Sequence, residues 1–251
     1  MGSRRARRSV GPLVTVLAGC LMAGCGSTGG SATGALAATS RPVTRAQALT
    51  YGHAVNLRAG DVPGFSTSEA EAEGPKPGPA GLEGARCTGA LDPQRRTAAI
   101  DSTTLEAGRA RSFRFIMSRV EVWPTHADVI FNSSKAHTEH GRTCLERVLE
   151  AARSRVNRRR HGAIGPFRIA TVPISIPGLE RSYLTSTNET RLRRSGAVLI
   201  HIYRDLFVFI SGPAEVELEA VGFSHPLAAS TEKQALEVLV ARARANARSW
   251  R

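Results

Sequence analysis

The chain has 251 residues, 41% hydrophobic and 5% aromatic, and its 34 basic against 21 acidic residues give a formal net charge of +13. That length suits one large domain or two small ones, with a core of Ala, Val, Leu and Ile rather than aromatic rings. A basic surplus of this size favours anionic lipid and anionic polymer as neighbours.

The chain opens with a positive segment, Ser3-Arg4-Arg5-Ala6-Arg7-Arg8, followed by uncharged residues 10–24. The apolar run is short of the roughly 18–20 residues of a bilayer span and has the form of a signal-peptide core. Small residues followed by cysteine occur twice, as Leu17-Ala18-Gly19-Cys20 and Met22-Ala23-Gly24-Cys25. Both resemble the lipobox of bacterial lipoproteins, in which the cysteine sulfur takes a diacylglycerol and becomes the new N-terminus. Cys20 has the better residue three positions upstream. Cys25 has the fuller apolar run and an immediate flexible sequel, Gly26 to Ser31, and is the preferred lipidation site. The pair Arg4-Arg5 lacks the apolar sequel of a twin-arginine signal. Cleavage before Cys25 removes Arg4, Arg5, Arg7 and Arg8 and no acid, so the 34 basic and 21 acidic residues leave a charge of +9.

Residues 1–24 are therefore expected to be a lipoprotein signal peptide, 25–42 a lipidated cysteine and tether, and 43–251 a single domain. Export leaves two cysteines in that domain, Cys87 and Cys144. Outside the cytoplasm such a pair is expected to close a disulfide.

A helix is predicted from Thr44, with Ala48, Tyr51 and Val55 on one face. It ends before Pro63-Gly64, which suit the central positions of a type II turn. Residues 66–86 are rich in Gly, Pro and acids and read as a long exposed loop. Residues 112–123 read as a strand. Its apolar phase moves from Phe113, Phe115 and Met117 to Val120 and Val122, which predicts a bulge or a bend between faces. Pro124-Thr125 opens one long helix, with Asp128 completing a cap. Its apolar stripe is Ile130, His137, Cys144, Leu145, Val148 and Ala152, so Cys144 points inward.

Three strand regions follow, at 167–176, 181–190 and 197–211. Pro173 marks the first as an edge strand. The last is predicted to fold into two strands about Arg204-Asp205, apolar on both faces as central strands are. A short strand at 220–223 precedes a helix from Ser230. That helix has a capping pair Thr231–Gln234 and a buried face of Leu236, Leu239, Val240 and Ala243. Strands joined by short turns between helices imply an α+β fold, an antiparallel sheet with flanking helices.

Two stretches carry a family resemblance: Asn56-Leu57-Arg58-Ala59-Gly60-Asp61-Val62-Pro63-Gly64-Phe65, and the strand 118–123 running into a cysteine-bearing helix. Together they resemble the exported sensor-like domains of actinobacteria, found as lipoproteins and as the extracellular part of mycobacterial membrane serine/threonine kinases. The resemblance spans residues 43–248. It implies an antiparallel sheet with flanking helices and a cleft that takes a ligand. The kinase domains usually carry two disulfides where this chain has one cysteine pair, and no ligand-site residue is carried over.

No Walker loop, dinucleotide fingerprint, Gly-x-Ser-x-Gly or Ser-x-x-Lys is present. His137-Thr138-Glu139-His140 has a spacing that zinc sites use, with His126 or His161 as a third ligand, but His137 on an apolar stripe reads more simply as a core histidine. Ser224 and His225 are adjacent on a strand and point apart. The basic run 153–160 (RSRVNRRR) and the run 191–194 (RLRR) would form one docking surface if the fold brings them together; a solvated helix end is the simpler reading of the first. The sequence thus predicts a lipid-anchored monomer on the extracytoplasmic face of the cell membrane. It is expected to be non-catalytic, with no cofactor, metal or nucleic acid, and to bind an envelope ligand or protein partner. Two alternatives are an adaptor held on anionic envelope polymer and an envelope hydrolase.

Overall fold

The computed structural model describes residues 41–69, 71–74, 77–136, 138–159, 164–192 and 197–250. Five α-helices lie among them: α1 (Arg45–Val55), α2 (Pro79–Thr88), α3 (His126–Ala136), α4 (Glu139–Arg159) and α5 (Ala229–Asn246). The strands are β1 (Ser66–Glu69), β2 (Ala72–Glu73), β3 (Ala98–Asp101), β4 (Thr104–Ala107), β5 (Arg114–Val122), β6 (Ile164–Pro173), β7 (Ser182–Leu192), β8 (Val198–Ser211) and β9 (Ala214–Phe223). All pairings are antiparallel and form one sheet in the order β1-β4-β5-β9-β8-β7-β6, with β3 also on β5 and β2 beyond it. The fold is α+β, a single sheet with flanking helices. No described helix is long and apolar enough to cross a membrane.

The helix α1 begins where predicted. Thr44 and Gln47 form a reciprocal capping box, and Ala48, Tyr51 and Val55 are buried. Gly64 at φ 79° and the Phe65 N–H donating to Val62 O (3.3 Å) complete the expected turn. The main core lies on one face of the sheet. There Ile116, Val120, Val216, Leu218 and Phe209 meet α1 and the Leu239, Val240 and Ala243 face of α5. The opposite face carries a smaller apolar cluster of Trp123, Val129 and Ile210.

Several expectations are corrected. Residues 66–86 are not a loop throughout: β1 and β2 extend the sheet edge, and α2 follows. Edge pairing uses backbone groups and needs no apolar side chains. The signals for α2 are Pro79 in its first turn and Gly89, at φ 71°, as its left-handed cap. The strand β5 has no bulge, since it pairs with β9 without a break from Arg114↔Gly222 to Val122↔Ala214. Its two apolar phases reflect burial of both faces. The irregularity lies in the neighbouring chain: Asp101 faces Arg119 and Leu105 faces Ile116, so one extra residue is taken up around Ser102-Thr103.

The long helix is two helices. Thr125 and Asp128 cap α3 reciprocally, as predicted. The chain then breaks, and the Thr138 hydroxyl accepts from Gly141 N (2.9 Å) to open α4. Position 137 lies outside the described residues. The region 198–211 is one strand, not a hairpin, because its polar residues have partners on neighbouring strands. Arg204 meets Glu219 at 2.7 Å and Asp205 accepts from the Ser186 hydroxyl. The real hairpin loop is Gly212-Pro213, with Gly212 at the positive φ of 59° such a loop requires. Its second strand, β9, starts six residues before the predicted 220. Ala228, not Thr231, is the N-cap of α5, and no side chain caps it.

Candidate functional site

Cys87 on α2 and Cys144 on α4 form a disulfide, with Cα atoms 5.7 Å apart. Cys144 is buried on the inward face, as its helical stripe implies. His140, one turn earlier, lies with Nε2 2.9 Å from Cys87 O and 3.5 Å from Cys144 Sγ. Its ring is therefore engaged at the disulfide. His126 pairs with Glu180 at 3.0 Å. His137 and His161 lie outside the described residues, as does Cys25. Among the described residues no group of histidines converges. Ser224 takes a left-handed φ of 68° just beyond β9, and no hydrogen bond joins its hydroxyl to His225.

The two stretches that carry the family resemblance meet at one buried side chain. Asn56 follows α1 and has no exposed surface. Its amide nitrogen donates to Ile100 O (3.1 Å), and its amide oxygen accepts from the Ser118 hydroxyl (2.9 Å). Leu57 N donates to the same hydroxyl oxygen (2.9 Å). Arg242 on α5 closes the loop from outside, gripping Asp61 through two bonds of 2.6 and 2.7 Å and Asn56 O at 2.7 Å. The 56–65 stretch is thus a structural joint between α1, β3, β5 and α5.

The chemistry-bearing residues that the sequence reading missed lie on the other face of the sheet. Glu215, Glu217 and Glu219 alternate along β9 with Val216 and Leu218. Alternation of this kind ordinarily marks a wet face, yet all three glutamates are buried. Glu121 on β5 sits directly across from Glu215, and Arg119 across from Glu217. Like charges at facing positions destabilise a sheet unless something compensates. Carboxylate oxygens of Glu121, Glu215 and Glu217 come within 4.8 Å of one another.

Two arginines serve this face. Arg119 holds Asp101 through Nε and a terminal nitrogen (2.5 and 3.1 Å). Arg96 lies 2.6 Å from Glu121 Oε1 and stacks over Trp123. Burial, then the Glu121 charge, pushes the Glu215 carboxyl up to about 7, and the same two causes raise Glu217 well above its ordinary value. Burial pulls the Arg119 pKa down, but Asp101, Glu217 and Glu121 outweigh it and raise it. The hint in the sequence was the common phase of Glu121 and the β9 glutamates, which becomes visible only once the register is known.

A second carboxyl pair lies on the opposite face. Burial, then the neighbouring Asp205, pushes Glu232 of α5 up to about 8. Described members of the two basic runs lie near one end of the sheet. Arg153 and Asn157 of α4 donate to Ile164 O (3.2 and 3.0 Å), and Ile164 pairs with Arg191. Within the described residues Arg153 pairs with Glu150, Arg155 with Glu83 and Arg191 with Glu189.

No protein-family model and no curated protein matches the sequence. Among solved structures, the extracellular domain of PknH from Mycobacterium tuberculosis is a distant likeness. Its TM-score is 0.41 with 10% identity, over 82% of this chain and 99% of that domain.

Proposed function

We propose that the chain is a lipid-anchored, non-catalytic lipoprotein of the cell envelope that holds its α+β domain on the extracytoplasmic face and binds a ligand or partner there. One observation carries the reading. A charged start, a short apolar run and Cys25 precede a tether, and the domain beyond it is closed by a Cys87–Cys144 disulfide. A thiol pair takes that form outside the cytoplasm.

Replacing Cys25 by Ala is expected to move the protein from the membrane fraction to the soluble fraction. Retention in the membrane would contradict the anchor, and release by Cys20→Ala alone would move it to Cys20. Native mass spectrometry of the exported protein tests the binding role. A reproducible extra mass that vanishes on denaturation is the expected result, and a bare mass counts against a ligand.

A second reading is favoured by the approach of Arg153 and Arg191, one from each basic run, to Ile164. In it the protein is an adaptor held on anionic envelope polymer. Salt-sensitive binding, lost when Arg158, Arg159 and Arg160 are replaced by Gln, would support it. Salt-insensitive or absent binding would exclude it.

A further inference from the structure

The buried face of β5 and β9 has more negative charge than its arginines cancel. Asp101, Glu121, Glu215 and Glu217 supply four carboxylates, and Arg96 and Arg119 supply two cations. The close contacts of both arginines go to Asp101 and to Glu121 Oε1. Among the described residues Glu215 and Glu217 have no salt-bridge partner. Glu121 is 1% and Glu217 3% exposed, and Glu121 Oε2 and Glu217 Oε2 accept no hydrogen bond. A buried carboxylate oxygen without a partner costs several-fold more than a satisfied one, so the arrangement calls for a further positive group.

We infer that Glu121, Glu215 and Glu217 form a binding site for one hard divalent cation. Three carboxylates from two adjacent, paired strands converge on a point that the backbone already fixes. The three oxygens all lie within 4.8 Å of one another, close enough for one ion to touch each of them. Two positive charges also equal the local deficit. Arg96 stays on Glu121 Oε1 and leaves Oε2 to the ion. Arg119 stays on Asp101 and holds it away from the site. Mutual repulsion of the three carboxylates becomes coordination, and β5 and β9 are clamped at the centre of the sheet.

The test uses the full chain, stripped with a chelator and held at pH 8 so that protons compete least with the metal. Calcium chloride is titrated against thermal unfolding, beside magnesium chloride, for the wild type, Glu217→Gln and Glu215→Gln. The expected result is a saturable rise in Tm of about 5 °C or more at a hundredfold excess over Kd. Both variants lose the response to either ion. Isothermal titration of the wild type alone, with one calcium per chain expected, keeps the proposal falsifiable if a variant does not fold. Absence of both calcium and magnesium binding in the wild type overturns the inference and leaves the cluster holding protons. A calcium response that persists in both variants also overturns it, because the ion then binds elsewhere.

Discussion

Asn56 satisfies three backbone or side-chain groups while itself fully buried, and no apolar residue of its size can do so. Asn56→Ala takes one donor from the Ile100 carbonyl and one acceptor from the Ser118 hydroxyl. The expected loss is about 2–3 kcal/mol in a urea melt, against a few tenths for an exposed substitution such as Lys233→Ala. Glu232 gives a pH signature. Its carboxyl rises from 4.5 in the unfolded chain to about 8 in the folded one, through burial and Asp205. The folded protein therefore keeps a proton that the unfolded chain releases. That contribution is fully present below pH 4.5 and is lost as pH rises through about 8. The urea midpoint should fall between pH 5 and pH 9, and Glu232→Gln should flatten the decline. An unchanged slope in the variant would assign the dependence to other groups.

At the scale of elements, the disulfide joins two helices that lie on the less apolar side of the sheet. Its loop spans 57 positions, so loop-closure entropy gives it about 4 kcal/mol. Reduction should lower stability by that order and speed amide exchange in α2 first, because α2 is short and α4 is also anchored through Ile164. The helix α1 crosses β3 at Gly52, where an added methyl would sit 2.5 Å from Ile100 Cδ1. Gly52→Ala should cost about 1–3 kcal/mol by thermal melting. Elements that were legible in the sequence obey local rules: the Thr44 start of α1, the Pro63-Gly64 turn, the Thr125–Asp128 cap and the edge position of β6 ending at Pro173. Those that were not depend on partners distant in sequence. Arg204-Asp205 looks like a turn until Glu219 and Ser186 are placed beside it. The acid-rich β9 looks exposed until Glu121 and Arg119 are set opposite. The short edge strands β1 and β2 have no apolar pattern because their pairing is a backbone matter. The acidic cluster was illegible for the same reason: its three members come from strands nearly a hundred residues apart.

At the scale of the whole molecule, the address and the domain were read by different means. The domain's fold class followed from element order, and its single sheet from strands joined by short turns. The proposed address rests on residues 1–42, whose order of charge, apolar run, small residues and cysteine resembles that of lipoprotein export signals. On the proposed anchor, the +9 charge of the chain beyond residue 24 would add a weak attraction to an anionic membrane surface. That attraction is screened by salt, whereas a lipid is not. Washing membranes with concentrated salt should therefore leave the protein bound, and detergent should release it.

The most direct test of the account is the intact mass of the protein extracted from membranes with detergent. The account predicts residues 25–251 with one internal disulfide, and a diacylglycerol on Cys25. A mass equal to an unmodified chain, or a lipid-bearing fragment that begins at Cys20, would contradict it.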